Sequence, residues 1–171
     1  MNQLKTDEGL RIYIIICVAV LLMCAAFLVI RLSKYPVVVS GESMMPTYRD
    51  GQLLATHELG ESEPKIGDVV VSYRHATSGT IRMIKRVVAL PGDTVEIKNG
   101  ILYRNGDPVA EDFPLMDEAG CAYIPITVPD HACFVLGDNR NNSSDSRIFS
   151  YVQYDDIFGI DDRKLFSLHL V

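Results

Sequence analysis

The sequence predicts a mostly β domain preceded by one transmembrane helix, and three observations carry that reading. Residues 12–30 (IYIIICVAVLLMCAAFLVI) form a run of 19 without a charge, whereas the apolar residues further on come in short β-branched runs. Turn signals built from Gly, Pro, Asn and Asp punctuate those runs. Beyond residue 34 no stretch carries helical periodicity long enough to define a helix.

At about 1.5 Å per residue the first run spans roughly 28 Å, close to the hydrocarbon thickness of a bilayer. Arg11 and Arg31 bound it, and Tyr13 and Tyr35 lie where an amphipathic ring suits the interface. A removable signal peptide would be shorter and followed by a small-x-small site, but Arg31-Leu32-Ser33-Lys34-Tyr35 follows directly. A core helix buried on all faces does not suit a chain of 171 residues. The segment reads as a permanent single-pass anchor. Its direction stays open, because Lys5 and Arg11 before it balance Arg31 and Lys34 after it.

Pro36 ends any helix, and residues 36–41 (PVVVSG) read as a short extended run stopped by Gly41. Residues 42–47 are irregular, since Pro46 restrains Met45 and removes a backbone donor. A strand follows at residues 51–56 (GQLLAT), then a polar loop at 60–65, then a second strand within 66–73 (IGDVVVSY). The longest β-prone stretch, residues 80–90 (TIRMIKRVVAL), stops at Pro91-Gly92-Asp93. Asn99-Gly100 between residues 94–97 and 101–103 is a hairpin signal, and Asn105-Gly106 repeats it. Residues 107–127, with Pro108, Pro114 and Pro125, look like a loop-rich insertion. A short strand at 131–136 (HACFVL) runs into residues 137–147 (GDNRNNSSDSR), too polar for regular structure. Residues 155–159 read as a turn and 164–171 as a terminal strand. Several short strands of this kind imply a sheet closed or coiled enough to protect its edges.

Beyond residue 34 the chain holds 12 Lys+Arg against 20 Asp+Glu, a formal charge of −8. That surface suits water and not nucleic-acid phosphate. Cys17 and Cys24 fall inside the anchor and act as small hydrophobes. Cys121 and Cys133 have no metal-ligand spacing; they either pair in an oxidising compartment or stay as buried thiols. There is no HExxH helix, phosphate loop or dinucleotide fingerprint, so no metal or cofactor is expected. His57, His75, His131 and His169 lack the context of a Ser/His/Asp triad.

Acyl transfer needs a nucleophile, a base of near-neutral pKa and donors facing the developing oxyanion. Ser43 is the best nucleophile candidate, because it sits two residues after Gly41 in a non-repetitive segment. The bland alternative is a solvated serine in a turn. Met44 and Met45 beside it must be buried or lie on an apolar surface, lipid or peptide. On period-2 alternation Met83, Lys85 and Val87 share one face and Ile84, Arg86 and Val88 the other, so at least one cation meets poorly solvated surroundings. Desolvation favours the neutral amine and makes a lysine a base. Moving it from about 10.4 to about 7 costs on the order of 4–5 kcal/mol. A lysine snorkelling from an edge strand is the alternative. Arg86 stays protonated and cannot serve. The loop at 137–147 is dense enough in short polar groups to hold itself together, to pair Asp145 with Arg147 and to place a hydroxyl on a buried amine.

Together these segments resemble bacterial type I signal peptidases of the Ser/Lys leader peptidase family, in the form common in Gram-positive enzymes. The resembling boxes are residues 40–47 (SGESMMPT), 67–73 (GDVVVSY), 84–93 (IKRVVALPGD) and 137–147, in family order along essentially the whole chain. The resemblance implies Ser43 as acylating serine, Lys85 as unprotonated base and Ser143 as the hydroxyl that orients the lysine. It implies Asp145 and Arg147 as a supporting ion pair, Asp138 and Asn139 as loop-forming residues, and the Ser43 N–H as an oxyanion donor. Some relatives carry a serine two residues before the nucleophile as a second donor; this chain has Gly41 there, which leaves that donor unassigned.

The implied fold is a signal-peptidase-like β core (31–92 and 132–171) with a small β insertion (93–131), after a short cytoplasmic N-terminus (1–11) and the anchor (12–30). The implied task is removal of N-terminal signal peptides from exported preproteins after small residues at −3 and −1, at the plasma membrane, near the export translocon. Met44 and Met45 would line substrate pockets or touch lipid. Three rivals are a peptidase dedicated to one pilus or conjugation precursor, a tethered binding module, and a self-cleaving repressor. The last needs a DNA-binding domain for which residues 1–34 leave no room.

Overall fold

A computed structural model describes residues 2–32, 35–60, 62–77 and 79–161. The chain falls into two units, residues 1–34 and 35–171. In the first, helix α1 (Asn2–Leu32) extends past both ends of the charge-free run. Among the described residues it contains one segment, Gly9–Leu28, long and apolar enough to cross a membrane, with its side chains uncovered by protein.

Among the described residues the second unit holds eleven strands: β1 (Tyr35–Val38), β2 (Leu53–His57), β3 (Val69–Ala76), β4 (Gly79–Ala89), β5 (Thr94–Lys98), β6 (Ile101–Arg104), β7 (Asp107–Pro108), β8 (Ile126–Thr127), β9 (Ala132–Leu136), β10 (Val152–Gln153) and β11 (Ile157–Asp161). They form a seven-stranded sheet in the order β1-β2-β11-β3-β4-β9-β10 and a four-stranded sheet in the order β7-β6-β5-β8. Every pairing is antiparallel. The Asn-Gly turns are where they were expected: Asn99 and Gly100, both with positive φ, close β5 on β6, and Asn105-Gly106 closes β6 on β7.

The central strand β4 alternates its side chains between cores. Met83 and Val87 pack with Val70, Cys133 and Val135 on one side, while Ile84 joins Val37, Met44, Tyr48 and Val71 on the other. Past a bulge between Val87 and Ala89, Val88 and Ala89 join the core that binds the small sheet, through Val95, Leu102 and Phe134. Strand β9 pairs with β4 only from Arg86 onward, so among the described residues Gly79–Lys85 have β3 on one edge and no strand on the other.

Three expectations need correcting. Residues 155–159 are not simply a turn: a 3₁₀ turn at Tyr154–Asp156 leads into β11, which inserts between β2 and β3 in mid-sheet. A short helix α2 (Ser146–Phe149) begins inside the polar stretch, because the Asp145 side chain accepts from the Arg147 N–H and caps it. The loop-rich stretch of residues 107–127 is more ordered than that, with a 3₁₀ turn at Gly120–Tyr123 besides two short strands. The expected strand at 164–171 lies outside the described residues.

Candidate active site

Ser43 occupies a loop between β1 and β2 that is tied down at both ends. Val39 N–H donates to Gln52 O and Gly51 N–H to Val39 O. Gly41, at φ +84°, donates its N–H to Asp50 Oδ1 at 2.7 Å, so that amide is committed away from the serine. Met44, 1 % exposed, is sunk into the core and fixes its neighbour, while Met45 stays partly exposed before a cis Pro46. The two methionines therefore differ: Met44 lines the cleft around Ser43 from below, and Met45 is not among its walls.

Lys85 reaches the serine from β4. Its Nζ lies 2.8 Å from Ser43 Oγ and donates to Ile84 O at 3.0 Å, although 42 residues separate the two side chains. Lys85 is only 4 % exposed. Burial lowers its pKa from 10.5 to about 8, against the opposing pull of the Asp145 and then the Asp138 carboxylates. Of the two cations at adjacent positions, Lys85 is the desolvated one. Arg86 is half-buried and turned to the other face, where Nε and Nη2 grip Asp138 at 2.8 and 2.6 Å and Nη1 donates to Gly67 O.

The loop from Gly137 to Arg147 closes over this pair. Asn139 donates its N–H to Ser43 O at 3.0 Å and its Nδ2 to Glu42 O at 3.1 Å, so it holds the serine's own backbone. Asp145, fully buried, accepts from Gly137 N–H at 3.0 Å and from Arg147 Nε and Nη2 at 2.8 and 2.9 Å. Arg147 also donates to Arg140 O at 2.6 Å. Asp138 does more than shape the loop, since it is the bidentate partner of Arg86.

Ser143 Oγ is buried and makes no hydrogen bond, so the expected contact with Lys85 is not formed. Gly137 shows how tightly it is held: a Cβ there would lie 2.2 Å from Ser143 Oγ and 2.6 Å from Ser43 O. Sequence reasoning assigned no role to Gly137, nor to Arg140, which is 1 % exposed and paired with Glu111. Their only signal was membership of the polar stretch.

A cleft of about 300 Å³ opens at Ser43 and Lys85. Its walls are the β1 side, with Val37 to Ser40, and the part of β4 that has β3 on one edge alone, with Ile81 to Ile84. A larger cavity of about 800 Å³, lined by Leu59, Tyr73, His131 and Tyr154, contains no comparable serine and amine. Cys121 and Cys133 are free thiols. Cys121 Sγ donates to Ser146 O, and burial pushes the Cys133 thiol up to about 12.

A buried amine in contact with a hydroxyl, beside a cleft with open strand edges, is equipped to transfer an acyl group from an extended peptide. The family described as "Signal peptidase, peptidase S26" matches residues 10–165. A probable signal peptidase I-1 of Synechocystis is 35% identical over 150 residues, covering 81% of this chain and 76% of the relative. A signal peptidase I of Bacillus caldolyticus is 35% identical over 180 residues, covering 93% and 91%. The crystal structure of a signal peptidase I from Enterococcus faecalis is similar over 58% of this chain and 97% of its own, with 29% identity and a TM-score of 0.47. With a family match over most of its length and relatives of this identity and coverage, the chain belongs to the signal peptidase, peptidase S26, family.

Proposed function

We propose that this protein is a membrane-tethered serine endopeptidase that removes signal peptides from exported preproteins, with Ser43 as nucleophile and Lys85 as general base. The observation that carries the mechanism is the 2.8 Å approach of Lys85 Nζ to Ser43 Oγ with the lysine buried. In its protonated state the amine donates to Oγ; once neutral it accepts the hydroxyl proton instead. The family and the Bacillus and Synechocystis signal peptidases support the substrate class.

A preprotein segment adds as a strand between the open edges of β4 and β1, which bound the cleft. Ser43 Oγ attacks the scissile carbonyl carbon while its proton passes to Lys85 Nζ. The Ser43 N–H faces the developing oxyanion. Collapse of the tetrahedral species breaks the C–N bond, and the Lys85 ammonium protonates the leaving amine. Water, deprotonated by Lys85, then hydrolyses the ester to Ser43. A cleft of about 300 Å³ walled by Val37, Met44 and Ile84 favours small side chains at −1 and −3.

The α1 segment holds the enzyme at the plasma membrane, with the N-terminus cytoplasmic and residues 35–171 outside, near the translocon. Tethering raises the effective concentration of a substrate held by its own apolar segment. The catalytic core comprises 31–92 and 132–171, and 93–131 is the insertion. Ser43→Ala and Lys85→Ala, assayed on a membrane-presented precursor, should each abolish cleavage and leave the fold intact. Full activity in either purified variant would sink the assignment.

A further inference from the structure

Residues 107–127 have no part in the chemistry described so far, yet two of their side chains reach the loop above Ser43. Glu111 takes the Arg140 guanidinium on both carboxylate oxygens. Phe113 presents its ring to two guanidiniums, that of Arg140 at 4.5 Å and that of Arg86 at 5.7 Å from the centroid. Arg86 in turn holds Asp138. The result is a ladder, Asp138, Arg86, Phe113, Arg140, Glu111, drawn from β4, the 107–127 segment and the 137–147 loop. The ring keeps two like charges apart while binding both.

Each arginine of the ladder reaches the reactive pair through one more link. Arg140 Nε donates to Gly137 O, and the next residue back, Asn139, holds Ser43 O. Arg86 is the covalent neighbour of Lys85. We infer that Phe113 and Glu111 are positioning residues for the Ser43/Lys85 pair, acting through Arg86 and Arg140. The inference rests on reading that pair as the catalytic one.

The charged groups around Lys85 are Asp145, paired with Arg147, Asp138, paired with Arg86, and the cleft residues Arg74 and Arg82. Asp138 pulls protons toward Lys85, and the Arg86 guanidinium bound to that carboxylate neutralises part of its charge. If Phe113 goes, Arg86 is less firmly held and Asp138 is less well neutralised. A less neutralised Asp138 favours the ammonium, so it moves the acid limb of activity to higher pH.

The test uses the full-length enzyme in detergent with a precursor substrate. Phe113→Leu should lower kcat about ten-fold with KM within about two-fold, and raise the acid limb of kcat/KM by roughly half a pH unit. Phe113→Tyr, which keeps the ring face, should restore both values. Glu111→Gln, which frees the Arg140 guanidinium, should give a smaller fall in kcat with KM within about two-fold, and decides the matter if the leucine variant fails to fold. Unchanged kcat, a change confined to KM, or, in Phe113→Leu, a fall in kcat with an unmoved acid limb would overturn the inference. Lys85→Ala run alongside separates the two ideas: activity there refutes the lysine base, whatever Phe113 does.

Discussion

At the scale of residues, the proposed chemistry turns on one amine. The shift of Lys85 from 10.5 to about 8 corresponds to about 3 kcal/mol lost from the folded state while the lysine is charged. Below about 8 both the folded and unfolded chains hold that proton, so the cost is present in full. Between about 8 and 10.5 the unfolded chain alone holds it, and stability rises with pH through that window. Lys85→Met should therefore abolish cleavage yet stabilise the domain at neutral pH, by about 1–3 kcal/mol once the lost bonds to Ser43 and Ile84 are counted; urea unfolding measures it. Cleavage should rise with pH around 8 as the neutral amine accumulates. A pH–rate profile flat down to pH 5 contradicts this.

At the scale of elements, the tight spot is the turn leaving β9. Gly137→Ala would drive a methyl group into Ser143 and the Ser43 carbonyl. Cleavage should fall at least about ten-fold and stability by about 1–3 kcal/mol, read by initial rates and thermal unfolding. The ease of reading the elements from sequence follows the range of the forces that make them. The strands around Val70, Ile84 and Val135 and the turn at Asn99-Gly100 are set by near neighbours, so their residues announce them. Ser43, Lys85, Asp145 and Arg147 were legible through their resemblance to a family. Strand β11 was not, because its partners on β2 and β3 are some hundred residues earlier. Helix α2 was hidden because it is capped by Asp145, a residue that also serves the loop. Phe113 and Glu111 sit in a proline-rich stretch without periodicity, and only the folded chain brings them to Arg140.

At the scale of the whole molecule, the three buried clusters draw every member from residues beyond 34. A chain beginning at residue 35 should therefore fold cooperatively and cleave a soluble signal-peptide mimic with a near-native kcat. Its cleavage of a precursor embedded in vesicles should drop by about 10²-fold or more, the scale of effective-concentration gains. Equal loss on both substrates would instead mean that residues 1–34 contribute to the catalytic body itself.

The Asp145 carboxylate caps α2, receives the Gly137 amide, pairs with Arg147 and pulls protons toward Lys85. For anyone evolving a variant that works in acidic media, this makes it a closed route. Mutations there trade the architecture of the loop against the basicity of the lysine, and selection would discard them before the benefit showed. The Arg86 and Phe113 side of the lysine, which carries fewer duties, is where heritable change in the working pH of the enzyme has room to accumulate.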